Sequence, residues 1–339
     1  MFDLAFAIRS LSFALPAFAD DYVDEYQYYS TLDPNGEEYQ EWKSNLASSA
    51  VSVPQNRMLK SILKNNTLIA NDYIEFNTAS NGHYTIGTIG GNPNSSTDDN
   101  KKMLFGHPGG GTSKTTIVVG ESINEFTSSN VTYDADGSKS VSKASYDGVD
   151  VTQELSIIEN SATGRDDVVK IKYIVKNDTE YAKQVGIRIM MDTMLGGNDA
   201  APFRVNGSDV TTETVYSGSN IPQIWQAFDS ATNPGVVAQG TFYKSGDRKP
   251  DKVQFTNWGN VTSTLWDYVT QPGRSNGDSA VSITWNKDTF TSGETREFVT
   301  YYGLSELEQN LIPPLALSVY ADNKVSISNF NYDDINANV

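Results

Sequence analysis

Acidic and amide side chains follow a strongly apolar stretch in residues 185–207, VGIRIMMDTMLGGNDAAPFRVNG. Asp192, Asn198 and Asp199 flank the pair Gly196-Gly197, and a bend at these glycines would turn their side-chain oxygens toward one point. Hard oxygen ligands of this kind suit calcium. Two alternatives stay open: Asx turns, in which the same side chains bind loop backbone, and a site for an organic ligand.

Aromatic side chains form a second candidate site. Four tryptophans, Trp225, Trp258, Trp266 and Trp285, lie in the last third of the chain. Trp225 and Trp285 follow strand-like apolar runs, which predicts core positions. Trp258 and Trp266, with Asp267, lie among Gly, Asn and Asp residues, where exposed rings could stack on the flat faces of a glycan. The alternative is that both rings pack in the core or at its rim.

Paired carboxylates are the third possibility, because glycoside cleavage requires two acids. The acids beside tryptophans and glycine-rich loops are Asp192, Asp199, Glu213, Asp267 and Asp278. Sequence spacing selects no pair among them, and no motif for a nucleophile, base or cofactor is present. We therefore assign no catalytic residue. A non-enzymatic role in adhesion, ligand binding or scaffolding is favoured, with a carbohydrate-active domain, glycan-binding or glycoside-processing, as the alternative.

The chain has two histidines, His83 and His107, and no cysteine. This composition excludes thiol catalysis, thiolate metal sites and disulfides, and a zinc site would have to be built from carboxylates. Each histidine lies in a predicted turn or at a strand end. We interpret both as structural residues that bind backbone groups.

Glycine-rich segments elsewhere predict turns. GTIGGNP and HPGGGTSK lack the spacing of a phosphate-binding loop and open no helix. Asp134 and Asp136 before Gly137 resemble part of a calcium-binding loop, but Thr132 and Lys143 occupy the two positions where an EF-hand needs acids. A hairpin turn is the better interpretation.

The charge limits the possible partners. The 339-residue chain has a formal net charge of −17. Such a chain lacks the clustered basic residues that bind nucleic acid, and an anionic membrane surface would repel it. A glycan or a host or cell-surface protein remains as a partner.

The elements that must position these candidates are strands. From Leu68 onward, β-branched and aromatic residues alternate with polar ones in short runs, separated by Gly, Asn, Asp and Pro. The dipeptides typical of tight hairpins are Asn81-Gly82, Asp136-Gly137, Asp147-Gly148, Asn206-Gly207 and Asn276-Gly277. About 16 to 18 strands with no helix between them predict an all-β fold, a large antiparallel supersandwich of two stacked sheets over residues 67–311.

The two ends of the chain differ from this domain. Residues 1–19 end in Ala17-Phe18-Ala19 and resemble a signal peptide, which predicts a secreted or cell-surface bacterial protein with no membrane insertion of the mature domain. Residues 20–66 predict two short helices, the first opening at Asp33-Pro34. Residues 312–339 begin with Pro313-Pro314 and predict a linker followed by the start of a further β-module or by edge strands of the same sandwich.

Two sequence blocks resemble a known module. FNTASNGHYTIGTIGGNP and KMLFGHPGGGTSKTTIVVGE are similar to the opening of an uncharacterised module of large cell-surface proteins of anaerobic Gram-positive bacteria. Later blocks, among them IPQIWQAFD and FVTYYGLS, extend the similarity over residues 68–305. The strand succession also resembles the supersandwich of galactose-mutarotase-like domains, which implies a fold shared by sugar-processing enzymes and non-catalytic modules. The histidine acid of the mutarotases has no counterpart in the later part of this chain.

Overall fold

A computed structural model describes residues 68–134 and 137–305, together with the backbone of 316–319 and 325–328. The predicted signal peptide and helical segment lie outside the described residues. The chain divides into two compact units, with the boundary between Ser305 and Glu306.

The described residues of the first unit lie mostly in strands, as the alternating pattern predicts. The strands are β1 Leu68–Ala70, β2 Ile74–Thr78, β3 Tyr84–Thr88, β4 Lys114–Val119, β5 Ser122–Glu125, β6 Val131–Tyr133, β7 Lys139–Tyr146, β8 Val149–Asn160, β9 Arg165–Asn177, β10 Lys183–Asp192, β11 Phe203–Val205, β12 Ser208–Val210, β13 Thr214–Ser217, β14 Ile224–Phe228, β15 Val237–Thr241, β16 Lys252–Asn257, β17 Ser279–Phe290 and β18 Thr295–Leu304. The helical elements described are a 3-10 turn at Gly218–Asn220 and a one-turn helix, α1, at Trp258–Thr262. This helix was not predicted.

The strands form three antiparallel sheets. A six-stranded sheet has the order β13-β16-β17-β10-β4-β5, a nine-stranded sheet the order β12-β11-β14-β15-β18-β9-β8-β7-β6, and β1-β2-β3 form a third. The prediction of an all-β fold of stacked antiparallel sheets is therefore confirmed.

The main core lies between the two larger sheets. On β10, Val185, Ile187, Ile189 and Met191 alternate into one continuous apolar cluster that also contains residues of β8, β9 and β18. These four residues share one face of the strand, because side chains alternate between the two faces of a sheet. Trp225 lies in the same cluster, fully buried, with its ring stacked on other aromatic rings.

Tight turns close two hairpins at dipeptides that indicated them, whereas Asp136 of a third dipeptide lies outside the described residues. Both central residues of the turns Asp147-Gly148 and Asn206-Gly207 have positive φ, as a type I′ turn requires. Asn276-Gly277 instead lies in the connection that leads into β17. There the positive φ falls on Asp278, at +57°.

In the second unit, β19 (Ala316–Val319) and β20 (Val325–Ser328) pair with each other in an antiparallel hairpin. Within the described residues of the chain, no helix has the length and apolar character needed to cross a membrane.

Candidate metal centre

Three aspartates from separate parts of the chain meet at one end of the six-stranded sheet. Asp192 is the last residue of β10, Asp199 lies in the loop that follows, and Asp278 directly precedes β17. One carboxylate oxygen from each lies within 4.8 Å of the other two. We call this group the acid triad. It can hold a metal ion.

Strand pairing explains why these residues meet. β10 and β17 are antiparallel neighbours, with Asp192 opposite Ala280, so the end of β10 and the start of β17 share one edge. The Ser279 amide donates to the Asp199 carbonyl oxygen at 2.8 Å, and the Thr193 amide donates to the Ser279 carbonyl oxygen at 3.0 Å. These two hydrogen bonds fasten the loop carrying Asp199 to the start of β17.

Asp192 is the buried member of the triad, at 2% exposure. Its Oδ2 accepts a short hydrogen bond from the Thr112 hydroxyl, and its amide donates to Ser113 Oγ at 3.0 Å. Its Oδ1 finds no hydrogen-bond donor in the part of the chain that the structure describes. A buried carboxylate oxygen without a donor is costly, and either protonation or a bound cation relieves this cost.

Burial and mutual repulsion change the acidity of the triad. Desolvation is the main cause that raises the pKa of Asp192 to about 7. The hydrogen bond from Thr112 acts to lower this pKa, and the negative charges of Asp278 and Asp199 act to raise it. Desolvation and then Asp278 also raise the pKa of Asp199, while Lys102 acts in the opposite direction. Like charges held this close favour protonation or a cation.

Asn198, predicted as a third calcium ligand, lies outside the triad. Its Oδ1 accepts from the Ala200 amide at 2.9 Å, and its Nδ2 donates to the Asp229 carbonyl oxygen at 2.9 Å. The first of these bonds is the Asx turn that the sequence left open as an alternative. Asp278, which was not among the predicted ligands, lies beside Asp192 and Asp199.

Two aromatic residues are tied to the triad by backbone hydrogen bonds. The Phe105 amide donates to the Asp192 carbonyl oxygen at 2.9 Å, and the Trp258 amide donates to the Asp278 carbonyl oxygen at 2.7 Å. Phe105 is 37% exposed. Trp258 is half-buried and packs on a small apolar cluster that contains Met190. The predicted metal site and one predicted ligand-binding aromatic are therefore neighbours.

The other two predicted ligand-binding residues lie differently. Trp266, for which both an exposed ring and core or rim packing were left open, is only 8% exposed, and its ring packs against the backbone of Gly186 on β10. A Cβ at Gly186 would come within 2.6 Å of this ring. Asp267 is exposed, as predicted.

Buried charged groups hold the connection between β16 and β17, which contains Trp258, Trp266 and Asp267. Arg188 is fully buried and donates to the carbonyl oxygens of Val261, Thr264 and Trp266 at 2.6 to 3.3 Å. Desolvation lowers the pKa of Arg188 to about 10. Because its guanidinium donates hydrogen bonds to backbone carbonyl oxygens, Arg188 fixes the path of the connection over the outer face of the six-stranded sheet.

Glu213 holds the same connection from the other side. Its carboxylate accepts from the hydroxyls of Thr256 and Tyr268, from Asn260 Nδ2 and from the Gln271 amide, at 2.7 to 3.1 Å. Burial acts to raise its pKa, but these hydrogen bonds outweigh burial and lower it. A carboxylate engaged in this way is a structural group, which removes Glu213 from the candidate acids.

The two histidines bind side chains and not the backbone groups expected. His107 is buried, with Nε2 3.0 Å from Glu75 Oε1 and Nδ1 3.1 Å from Thr85 Oγ1. His83 Nε2 lies 3.1 Å from Glu125 Oε1. Both imidazoles are thus engaged in separate local contacts.

Comparisons with known proteins were made by sequence and by structure. No protein-family model matches the chain, and no curated protein sequence matches it. Among solved structures, a polysaccharide lyase is 12% identical over 72% of this chain and 34% of the lyase, with a TM-score of 0.41, so this chain spans about a third of the lyase. A galactose mutarotase related enzyme from Lactobacillus acidophilus is 8% identical over 70% of this chain and 97% of that protein, with a TM-score of 0.34. A galactose mutarotase-like protein from Lactobacillus casei is 10% identical over 70% of this chain and 99% of that protein, with a TM-score of 0.37.

Sequence reasoning missed three residues of this site. Asp278 was singled out only as one of five candidate acids, and its place in the metal set follows from the pairing of β10 with β17. Thr112 lies in the glycine-rich segment HPGGGTSK, which was interpreted as a turn, and Phe105 precedes this segment. One signal was available: Phe105 is a large aromatic residue directly before a run of turn residues, a position where exposure indicates binding.

Proposed function

We propose that this protein is a non-enzymatic module of a secreted or cell-surface bacterial protein, and that its working site is a calcium ion held by the acid triad. One observation carries the proposal: Asp192 is buried, its Oδ1 has no donor among the described residues, and two further carboxylates converge on it. A second unpartnered oxygen, Asp199 Oδ1, supports the same conclusion.

The ligand chemistry favours calcium over other biological cations. Carboxylates are hard ligands that supply one or two oxygens each, which suits calcium with its six to eight ligands at flexible angles. Zinc is bound mainly by Cys and His, and the contacts described for His83 and His107 lie elsewhere. Magnesium requires near-ideal octahedral geometry and keeps most of its water.

The arrangement of the other polar groups supports a non-enzymatic role. In the described part of the chain, the Glu213 carboxylate accepts hydrogen bonds from four neighbouring residues, and Arg188 donates to backbone carbonyl oxygens. Both groups are therefore engaged in holding the fold. A cation at the acid triad would link three chain segments and so fix the end of the sheet for ligand display or adhesion.

Thermal melting in calcium and in EDTA tests the proposal. A ligand that binds only the folded state stabilises it, by ~2.7 kcal/mol at a hundredfold excess over Kd. We expect calcium to raise the melting temperature of the wild-type protein, and Asp278→Asn to abolish this rise. Asp150→Asn is the matched control, because Asp150 is an exposed acid on β8, away from the triad in the fold. Coincident wild-type curves in calcium and EDTA would contradict the proposal.

A further inference from the structure

The proposed cation would be open to solvent on one side. Asp192 is buried, whereas Asp199 and Asp278 are only half-buried. Three carboxylates leave part of a calcium coordination shell of six to eight oxygens unfilled. The remaining positions would be taken by oxygens from outside the chain.

An exposed aromatic residue is joined to the triad through its backbone. Phe105 is tied to Asp192 by its amide, and the turn that follows it depends on Gly106, whose φ is +79° and whose Cβ would come within 2.1 Å of the Gly110 carbonyl oxygen. A Cβ at Gly110 itself would meet no atom within 4 Å. The turn therefore leaves open space at Gly110, in the segment that follows Phe105.

The charge of the site selects the class of ligand. Three ionised carboxylates around a divalent cation leave one negative charge, and Lys102, which lowers the pKa of Asp199, offsets it. A site without excess positive charge has little attraction for an anion. Neutral hydroxyl oxygens fit its electrostatics better than carboxylates or sulfates.

We propose that the site binds a neutral saccharide: two adjacent hydroxyls complete the coordination of the calcium ion, while the apolar face of the sugar ring packs on Phe105, with Trp258 as a second apolar contact. This inference rests on the proposed calcium site and names its ligand. Aromatic side chains beside a few convergent polar groups are the usual composition of such sites.

Binding to a glycan array tests the saccharide proposal. The array carries neutral and uronic-acid-containing oligosaccharides, and each is measured in calcium and in EDTA. We expect binding to neutral glycans that requires calcium. Phe105→Ala should weaken this binding about tenfold or more while leaving the calcium-induced rise in melting temperature unchanged. Phe105→Leu, which keeps apolar volume without a flat ring, separates ring stacking from any change in folding. Tyr181→Ala is the matched control, since Tyr181 is 74% exposed and lies in the β9–β10 loop.

The possible failures are distinguishable. If calcium raises the melting temperature but no glycan binds, the saccharide inference is wrong and the calcium proposal stands. Binding that persists in EDTA, or a preference for uronic-acid glycans, would also overturn the inference. If calcium has no effect on melting, both proposals fail.

Discussion

The amide of Trp258 donates to the carbonyl oxygen of Asp278 across 2.7 Å, at the point where α1 begins and β17 is about to start. This hydrogen bond joins the connection over the outer face of the six-stranded sheet to the acid triad. The backbones of Trp258 and Asp278 therefore have a fixed relationship at this end of the sheet.

Stability of the metal-free protein should depend on Asp192 and pH. The pKa of its carboxyl group is raised to about 7 in the folded state, whereas an unfolded Asp titrates near 4. Between these values the folded state holds a proton that the unfolded state has lost, so the contribution of Asp192 to the free energy of unfolding falls as pH rises from about 4 to about 7 and stays lost above that.

Urea unfolding in EDTA at about pH 5 and about pH 8 measures this effect. The loss of stability between the two should be smaller in Asp192→Asn than in the wild-type protein, and the same as wild type in Asp150→Asn. Equal pH dependence in Asp192→Asn and wild type would show that Asp192 does not titrate in this range.

Thr112 should tune the calcium affinity through Asp192. Its hydroxyl orients the Asp192 carboxylate, and partners of this kind typically contribute 10-fold to 100-fold in metal affinity. We expect Thr112→Val to weaken calcium binding by about tenfold. Thr132→Val, a change at an exposed threonine on β6, is the control. Unchanged affinity in Thr112→Val would mean that the hydrogen bond has no role in binding.

Trp266 should act in folding and not in binding. Because its ring is buried against Gly186, truncation to alanine should cost ~3 to 5 kcal/mol of stability. Asp267→Asn, at the exposed neighbour, should change stability by less than ~0.5 kcal/mol. Chemical denaturation of both variants gives the comparison. A Trp266→Ala protein as stable as wild type but unable to bind glycans would reverse this assignment.

The sequence predicted the fold through local signals. Alternation along β10 placed its apolar residues inward, and Asp-Gly and Asn-Gly pairs placed two type I′ turns. Each signal depends on residues close together in the chain, where side-chain periodicity and turn chemistry act directly.

The site depended on relationships that are not local. Asp278 joins Asp192 because β17 pairs with β10, and no spacing along the chain encodes which strands become neighbours. Trp266 is buried because Gly186, on a distant strand, has no side chain to keep the ring away. The polar residues around Trp266 suggested exposure, but tertiary packing overrode that local composition.

Isothermal titration of the protein with calcium shows directly whether the acid triad binds this ion. We expect one ion bound per chain, with an affinity that rises as pH increases through about 7 because Asp192 must lose its proton. Asp192→Asn should eliminate the binding, and Asp150→Asn should leave it intact. Absence of a binding heat in the wild-type protein, or equal binding in Asp192→Asn, would show that the acid triad is not a calcium site.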